Sequence, residues 1–329
     1  MAAVGARRRG RPRLRARPAA RSLARHARRS PQELTLPTDR PRPASGPHRA
    51  GRHSLTVPAG LHQEIARTAR EMKATPFMVV QAAFAALLSR LGAGTDIPIG
   101  SPVAGRTHEA LADVVGLFAN TLVLRTDVSG DPSFTDLVTR VRRTDLAAFA
   151  HQDLPFERLV EALRPERSAA RHPLFQVVLE WGDDETRALN SLADLPGLAV
   201  QPLRLNVEAA KFDLVLHLRP RYTVDDAPAG IAVDLEYSAD LFDASTAARL
   251  GERLVRLLGA ALAEPDRPVT DLDVLLDDER HSLLTDWAHT PAGPYAPIAD
   301  GDTIVRRFER AAAARPHAVA VTGEDEQGA

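Results

Sequence analysis

Residues 75–106 read TPFMVVQAAFAALLSRLGAGTDIPIGSPVAGR, and the change of period inside them decides the fold class. Thr75 followed by Pro76 has the chemistry of an N-cap and a first-turn proline. From there Phe77, Val80, Phe84, Leu87, Leu88 and Leu91 share one broad apolar face at helical spacing, and Gly92 ends the run. A helix that apolar belongs in a core. IPIGSPVAGR (97–106) then reads as a short strand breaking into a Pro/Gly turn.

Outward in both directions, helices and strands keep mixing. Leu61, Ile65, Ala69 and Met72 recur at helical spacing, and residues 31–52 form a lead too proline-dense for a helix. GLFANTLVLRTDV (116–128) reads as a strand. Asp131-Pro132 opens a predicted helix carrying Phe134, Leu137, Val141 and Phe149, and HQDLPFERLVEAL (151–163) becomes helical after Pro155. LFQVVLEW (174–181) is a buried strand by its apolar continuity. FDLVLHL (212–218) and IAVDLEY (231–237) alternate with period two. A long amphipathic helix runs from a cap near Asp243 through Leu250, Leu254, Leu257 and Ala261. With no regular βαβ repeat, the fold class is α/β in the broad sense: a mixed sheet flanked by helices. Pro265 and Pro268 mark a boundary. Past it come a short helix near 277–287, a Pro/Gly segment (290–297), a helix over 302–314 and an apolar AVAV strand (318–321).

The 329 residues carry 42 basic and 43 acidic side chains and no cysteine. That removes disulfides, thiolate metal sites and cysteine nucleophiles. No apolar run approaches the ~20 residues of a bilayer span, so no membrane partner is expected. Eleven arginines and no acid fall in residues 1–30, while lysine occurs only at positions 73 and 211. A GC-rich coding sequence produces such a skew. The first 30 residues cannot bury enough surface to offset chain entropy and read as a disordered, solvated tail or a translated stretch upstream of the frame. A nucleic-acid or lipid-binding arm and a targeting signal are the rival readings. The arm interleaves no aromatics for base stacking and no apolar h-region follows the arginines, so no nucleic-acid partner is expected.

Metal and nucleotide fingerprints are absent: there is no HExxH, no phosphate loop and no GxSxG. His217 sits on the polar phase of an alternating strand and reads as structural. His151 and His172 lie in loops and are better site candidates, yet neither has an evident orienting partner.

The strings IPIGSPVAGR (97–106), VVGLFANTLVLR (114–125), HQDLPFERLV (151–160) and RHPLFQVVLEW (171–181) resemble, in order and spacing, the consecutive motifs in the second half of nonribosomal peptide synthetase condensation domains. LPTDRPRP (36–43), AGRHS (50–54) and TPFMVVQAAFAALL (75–88) are similar to the approach to those motifs. Residues 283–321 resemble the linker and opening helix-strand of an adenylation domain. After the segment 1–30, read as disordered from its composition, the resemblance implies a condensation-domain C-terminal lobe over 31–265, a linker over 266–300 and a truncated adenylation start over 301–329. The implied fold is a single chloramphenicol acetyltransferase-like lobe.

In that family two lobes form a V around a tunnel, and the catalytic HHxxxDG motif sits on the N-terminal lobe. The chain contains neither HHxxxDG nor HxxxDG. The resemblance therefore implies a lobe without its partner, inactive alone, as a truncated or frameshifted remnant would be; the alternative is a non-catalytic docking module for carrier or adenylation domains. Catalytic residues are expected to be none. The substrate channel would be lined by Ser101, Gly105, Arg106, Asn120, Thr121, Arg125, Gln152 and Asp153. Asn120 and Thr121 would bond the amides of a pantetheine arm or of the substrate, and Gln152 and Asp153 would reach toward the other lobe. Arg125 or Arg106 would pair with the aspartate of the absent motif, and without it would stand uncompensated. Rival readings keep Gly105 and Gly116 as turn residues, Asn120 and Thr121 as strand-edge caps, and Asp153 as an N-cap. Leu117, Phe118, Leu122, Leu124, Phe156 and Phe175 read as core. No cofactor is bound directly; the implied partners are phosphopantetheine arms of peptidyl or acyl carrier domains, an adenylation domain and the missing lobe. The setting would be cytoplasmic secondary-metabolite or antibiotic biosynthesis. An exposed tunnel face would promote self-association.

Overall fold

A computed structural model of the chain describes residues 33–44, 48–111, 113–166, 168, 170–182, 209–286 and 303–316. The basic segment 1–30, the Pro/Gly segment 290–297 and the AVAV stretch lie outside the described residues.

Six strands make one mixed sheet: β1 (Ala50–Val57), β2 (Asp96–Val103), β3 (Asn120–Asp127), β4 (Val177–Trp181), β5 (Leu214–Tyr222) and β6 (Pro228–Ser238). Their order is β1-β6-β5-β4-β2-β3. β2, β4 and β5 run parallel at the centre, while β3, β6 and β1 are antiparallel to their neighbours. The α/β expectation therefore holds, including both alternating strands near 212–237.

Helices α1 (Ala59–Glu71), α2 (Pro76–Leu88), α3 (Phe134–Phe149) and α5 (Ala244–Ala263) share the sheet's apolar face; α4 (Phe156–Leu163) lies on the other. α2 is the centre of the core. Thr75 Oγ1 accepts from the Met78 N–H at 3.2 Å, so the cap read from Thr75-Pro76 is present. Every residue from Met78 to Leu88 is buried, as an all-round apolar helix must be. The chain leaves the helix through a five-residue π-type turn, Ser89–Ala93, where Gly92 takes φ 96°. That left-handed backbone explains the glycine. The stretch Pro76–Ala93 is apolar and long enough to cross a membrane, but its residues fill this core.

Alternation sorts the strands. Leu214, Leu216 and Leu218 of β5 and Ile231, Val233, Leu235 and Tyr237 of β6 face the helices. Val123, Val178 and Val215 face the other way and pack with Phe175, Leu159, Leu154 and Leu174 beneath α4.

Three readings need correction. Ala50–Val57 is an edge strand that begins inside the lead expected over 31–52 and runs on through residues given no element; Arg52, Ser54 and Thr56 point to the exposed side and hide the pattern, while Val57 is buried. The helix expected from Asp131-Pro132 starts later. Its cap is Ser133, whose Oγ accepts from the Asp136 N–H at 3.1 Å. Beyond Pro265 the chain is still core: Val269 and Leu272 are buried, and Arg90 donates to both of their carbonyls at 2.9 and 2.8 Å.

The lead 33–44 is strapped to the sheet. The Leu34 N–H donates to Gln176 Oε1 at 2.9 Å, and the Arg42 guanidinium grips Asp213 through two bonds and Glu33 through a third. Residues through Leu276 form one compact unit and those from Asp277 a second. The second contains α6 (Asp277–Leu284) and α7 (Ile304–Ala314), the latter capped by Thr303 Oγ1.

Candidate functional site

Because β2, β4 and β5 are parallel, their carboxyl ends emerge at one edge of the sheet. In open α/β sheets that edge is where ligands bind. Here β2 runs out at Val103, the chain loops through 104–119, and β3 begins at Asn120.

The loop is held by two of the expected site residues. Gly105 has φ +66°, and a Cβ there would stand 1.8 Å from the Phe118 carbonyl oxygen. Only glycine lets the two limbs of the loop cross so closely. Arg106 donates to the carbonyls of Leu111, Val114 and Gly116, the second at 2.9 Å, and lies 4.7 Å over the Phe118 ring. It staples the loop through its backbone carbonyls while staying exposed. The staple leaves Val115 98% and Leu117 92% exposed. Leu117 was expected in the core and is instead the most prominent apolar tip of this loop beside Val115. Leu122, Leu124 and Phe175 are buried as expected.

Asn120 clasps the neighbouring segment. Its Nδ2 donates to the Gln152 and Leu154 carbonyls at 2.8 and 2.7 Å, and its Oδ1 accepts from the Phe156 N–H at 3.0 Å. Both amide hydrogens are thus committed to fixing the turn before α4. Thr107 Oγ1 donates to Asp153 Oδ1 at 3.3 Å, tying the two loops a second time. Asp153 is not the cap of α4; Pro155 holds that position. Gly105, Arg106, Asn120, Gln152 and Asp153 therefore form one junction.

Ser101 and Thr121 sit in the adjoining strands and face opposite ways. Ser101 pairs with Leu122 and is buried toward the helices, whereas Thr121 pairs with Pro102 on the other face. Arg125 is five residues further along β3, about 17 Å from Asn120. Its Nε donates to Asp96 at 2.6 Å and a second nitrogen completes the fork. The expectation that Arg125 or Arg106 stands uncompensated is overturned: one has Asp96 and the other has the loop carbonyls.

A second polar cluster lies on the sheet face opposite α1, α2 and α5. His217 Nδ1 donates to Glu180 at 2.7 Å, and its Nε2 is 3.9 Å from Glu236. The two carboxylates push the imidazole up to about 9, so it is cationic at neutral pH. Hydrogen bonding from His217 in turn holds Glu180 below the usual carboxylate range. Arg219 bridges to Asp234, which also accepts from Ser54. The register Glu180↔His217↔Asp234 makes this a cross-strand ladder. His217 keeps its structural reading, but its partners come from strands distant in sequence.

His172 is packed, not exposed. Its ring lies 4.4 Å from Phe175, 4.9 Å from Phe212 and 5.5 Å from Phe156. Burial lowers its pKa, so the ring is neutral at pH 7. With Arg171 and Pro173 it lines two neighbouring pockets, one of about 580 Å³ beside Arg42 and Lys211 and one of about 1310 Å³ along α4. No group of three or more metal-ligating side chains occurs among the described residues.

Comparison with known proteins decides the family. Residues 25–284 match the family model described as the condensation domain. The chain belongs to the condensation-domain family of nonribosomal peptide synthetases. It is 47% identical over 299 residues to a dimodular nonribosomal peptide synthase of Bacillus subtilis, covering 90% of this chain and 12% of that protein. Among solved structures it is similar to the X-domain from teicoplanin biosynthesis, at 38% identity and TM-score 0.74, over 80% of this chain and 58% of that one. The complex of that X-domain with OxyB gives 39% identity and TM-score 0.73, over 79% and 56%. A condensation-domain chain matching little more than half of a solved relative fits one lobe of the fold.

Proposed function

We propose that this chain supplies the C-terminal lobe of a condensation domain, the fold that joins a carrier-bound acyl or peptidyl thioester to a carrier-bound aminoacyl amine. In that reaction the amine nitrogen bonds to the thioester carbon, the carbon–sulfur bond breaks, and the thiol leaves with the amine's proton. What supports the reading is the junction at the carboxyl edge of β2, where the motif residues of three separate strings meet at Asn120.

Within this reading Gly105, Arg106, Thr121, Gln152 and Asp153 border the channel for phosphopantetheine arms. Asn120 shapes its wall, Ser101 lies behind it in the core, and Arg125 fixes the far end of β2 and β3 through Asp96. The lobe contributes proximity, which is effective only when both thioesters are held. The general base belongs to HHxxxDG, and none of the 329 residues supplies that motif. Residues 301–329 open an adenylation domain, the stretch between the condensation-domain match and residue 300 is its linker, and the setting is cytoplasmic.

A second reading, a docking module without chemistry, is favoured by one observation: the similar X-domain is solved in complex with OxyB. Titrating the chain with a carrier protein, with and without its phosphopantetheine, separates the two. The channel reading expects binding that depends on the arm and weakens about tenfold in Arg106→Ala, as the loop loses its staple. Binding indifferent to the arm would support docking instead.

A further inference from the structure

Deep between α2, α3 and β3 lies a polar cluster that the proposed reaction does not use. Asp145 of α3 and Gln81 of α2 are both fully buried, and Thr126 of β3 is 1% exposed. Gln81 Nε2 donates to Asp145 Oδ1 at 3.1 Å and to Thr126 Oγ1 at 3.2 Å. Both amide hydrogens are thereby used. Two buried oxygens remain without a donor, Gln81 Oε1 and Asp145 Oδ2.

Those two orphans are complementary. An amide and a carboxylic acid close a ring of two hydrogen bonds when the acid keeps its proton: N–H to one acid oxygen, and O–H back to the amide oxygen. A carboxylate in the same place leaves two buried acceptors unsatisfied, a costly arrangement. We infer that Asp145 is a neutral acid in the folded protein, donating its Oδ2 proton to Gln81 Oε1, and that loss of this proton to solvent unlatches α3 from α2 and β3.

The surroundings support this. Burial is the largest influence on the Asp145 carboxyl and drives it up to about 7, against a smaller lowering by Gln81. α2 carries no titratable side chain. On β3, Arg125 and Asp127 flank Thr126 and lie on the opposite face, where Arg125 pairs with Asp96 and Arg140 donates to the Asp127 carbonyl. On α3 itself, Arg142 is turned away to the Lys73 carbonyl. No cation on these elements compensates an ionised Asp145.

The latch lies next to the candidate site. One turn on from Asp145, Ala148 and Phe149 pack with Leu122 and Leu124 of β3, and α3 ends at Phe149, just before the segment that Asn120 clasps. Loosening α3 therefore loosens the turn 150–155.

The sign follows from linkage. The folded value lies above the unfolded one, so the contribution is fully present below about pH 4 and is lost as pH rises through about 7. Local opening of α3 should grow about tenfold per pH unit between pH 5 and 7 and level off above. The test uses the full chain labelled with ¹³C at aspartate carboxyls, together with hydrogen exchange corrected for intrinsic rates. The Asp145 carboxyl resonance, assigned through its own side-chain protons, should titrate near pH 7. Exchange over 145–156 should rise from pH 5 to 7 in the wild type and stay flat in Asp145→Asn. An Asp145 resonance that titrates below pH 5 overturns the inference, with no variant needed. A resonance titrating near 7 with no change in exchange overturns the latch.

Discussion

Asn120 shows how a residue chosen for chemistry turns out to act through geometry. Its amide spans three backbone groups of the turn before α4. Replacing it with alanine strands two half-buried carbonyls and one N–H, and should cost about 2–3 kcal/mol by denaturant unfolding. Asn120→Asp should rescue little, because a carboxylate cannot donate to Gln152 and Leu154. His217 makes the second expectation at this scale. Its folded value near 9 lies above the ordinary one, so the stability it gives is complete below about pH 6.5 and is lost as pH climbs through about 9. With Glu180 partly solvated, roughly 1–2 kcal/mol is at stake. Unfolding followed from pH 6 to 10 should fall less in His217→Gln than in the wild type; equal slopes would refute the ladder's role. Neither His217's partners nor the Asp145–Gln81 pair was legible in the sequence. Glu180 and Glu236 approach His217 from other strands, and strand register is set by tertiary packing, not by local spacing. Leu117 failed for the opposite reason: it stands among apolar residues in sequence, but the loop that carries it lies on the surface, where Arg106 bonds the loop carbonyls and Leu117 stays exposed.

Among the elements, those with strong periodicity were readable and those with weak periodicity were not. α2 announced itself through Thr75-Pro76 and an unbroken apolar run, because a helix buried on all sides needs no polar phase. Thr75→Ala should lower stability by about 1 kcal/mol, since Pro58 and Pro155 show that other helices here begin without a side-chain cap while α2 uses one. β1 escaped because one side faces solvent and its partner β6 comes some 180 residues later. At the element junction, Gly105→Ala should be among the more damaging small substitutions. A methyl group there meets the Phe118 carbonyl, and φ +66° is unfavourable for alanine. A change in melting temperature of several degrees is expected, with loss of the loop's ordered exchange protection.

For the molecule as a whole, the motif strings carried the family, and the alternating strands carried the sheet. The exposed Val115 and Leu117 tip is an apolar surface of the kind that associates. Val115→Asp with Leu117→Asp should shift gel filtration toward monomer without changing the unfolding midpoint. The central claim is that this lobe positions thioesters and takes its base from a lobe bearing HHxxxDG. Amide formation from two loaded carrier proteins tests it, with the chain alone and with such a lobe supplied separately. The chain alone should give no amide above background, and product should form when the second lobe is added; sustained turnover by the chain alone would contradict that claim.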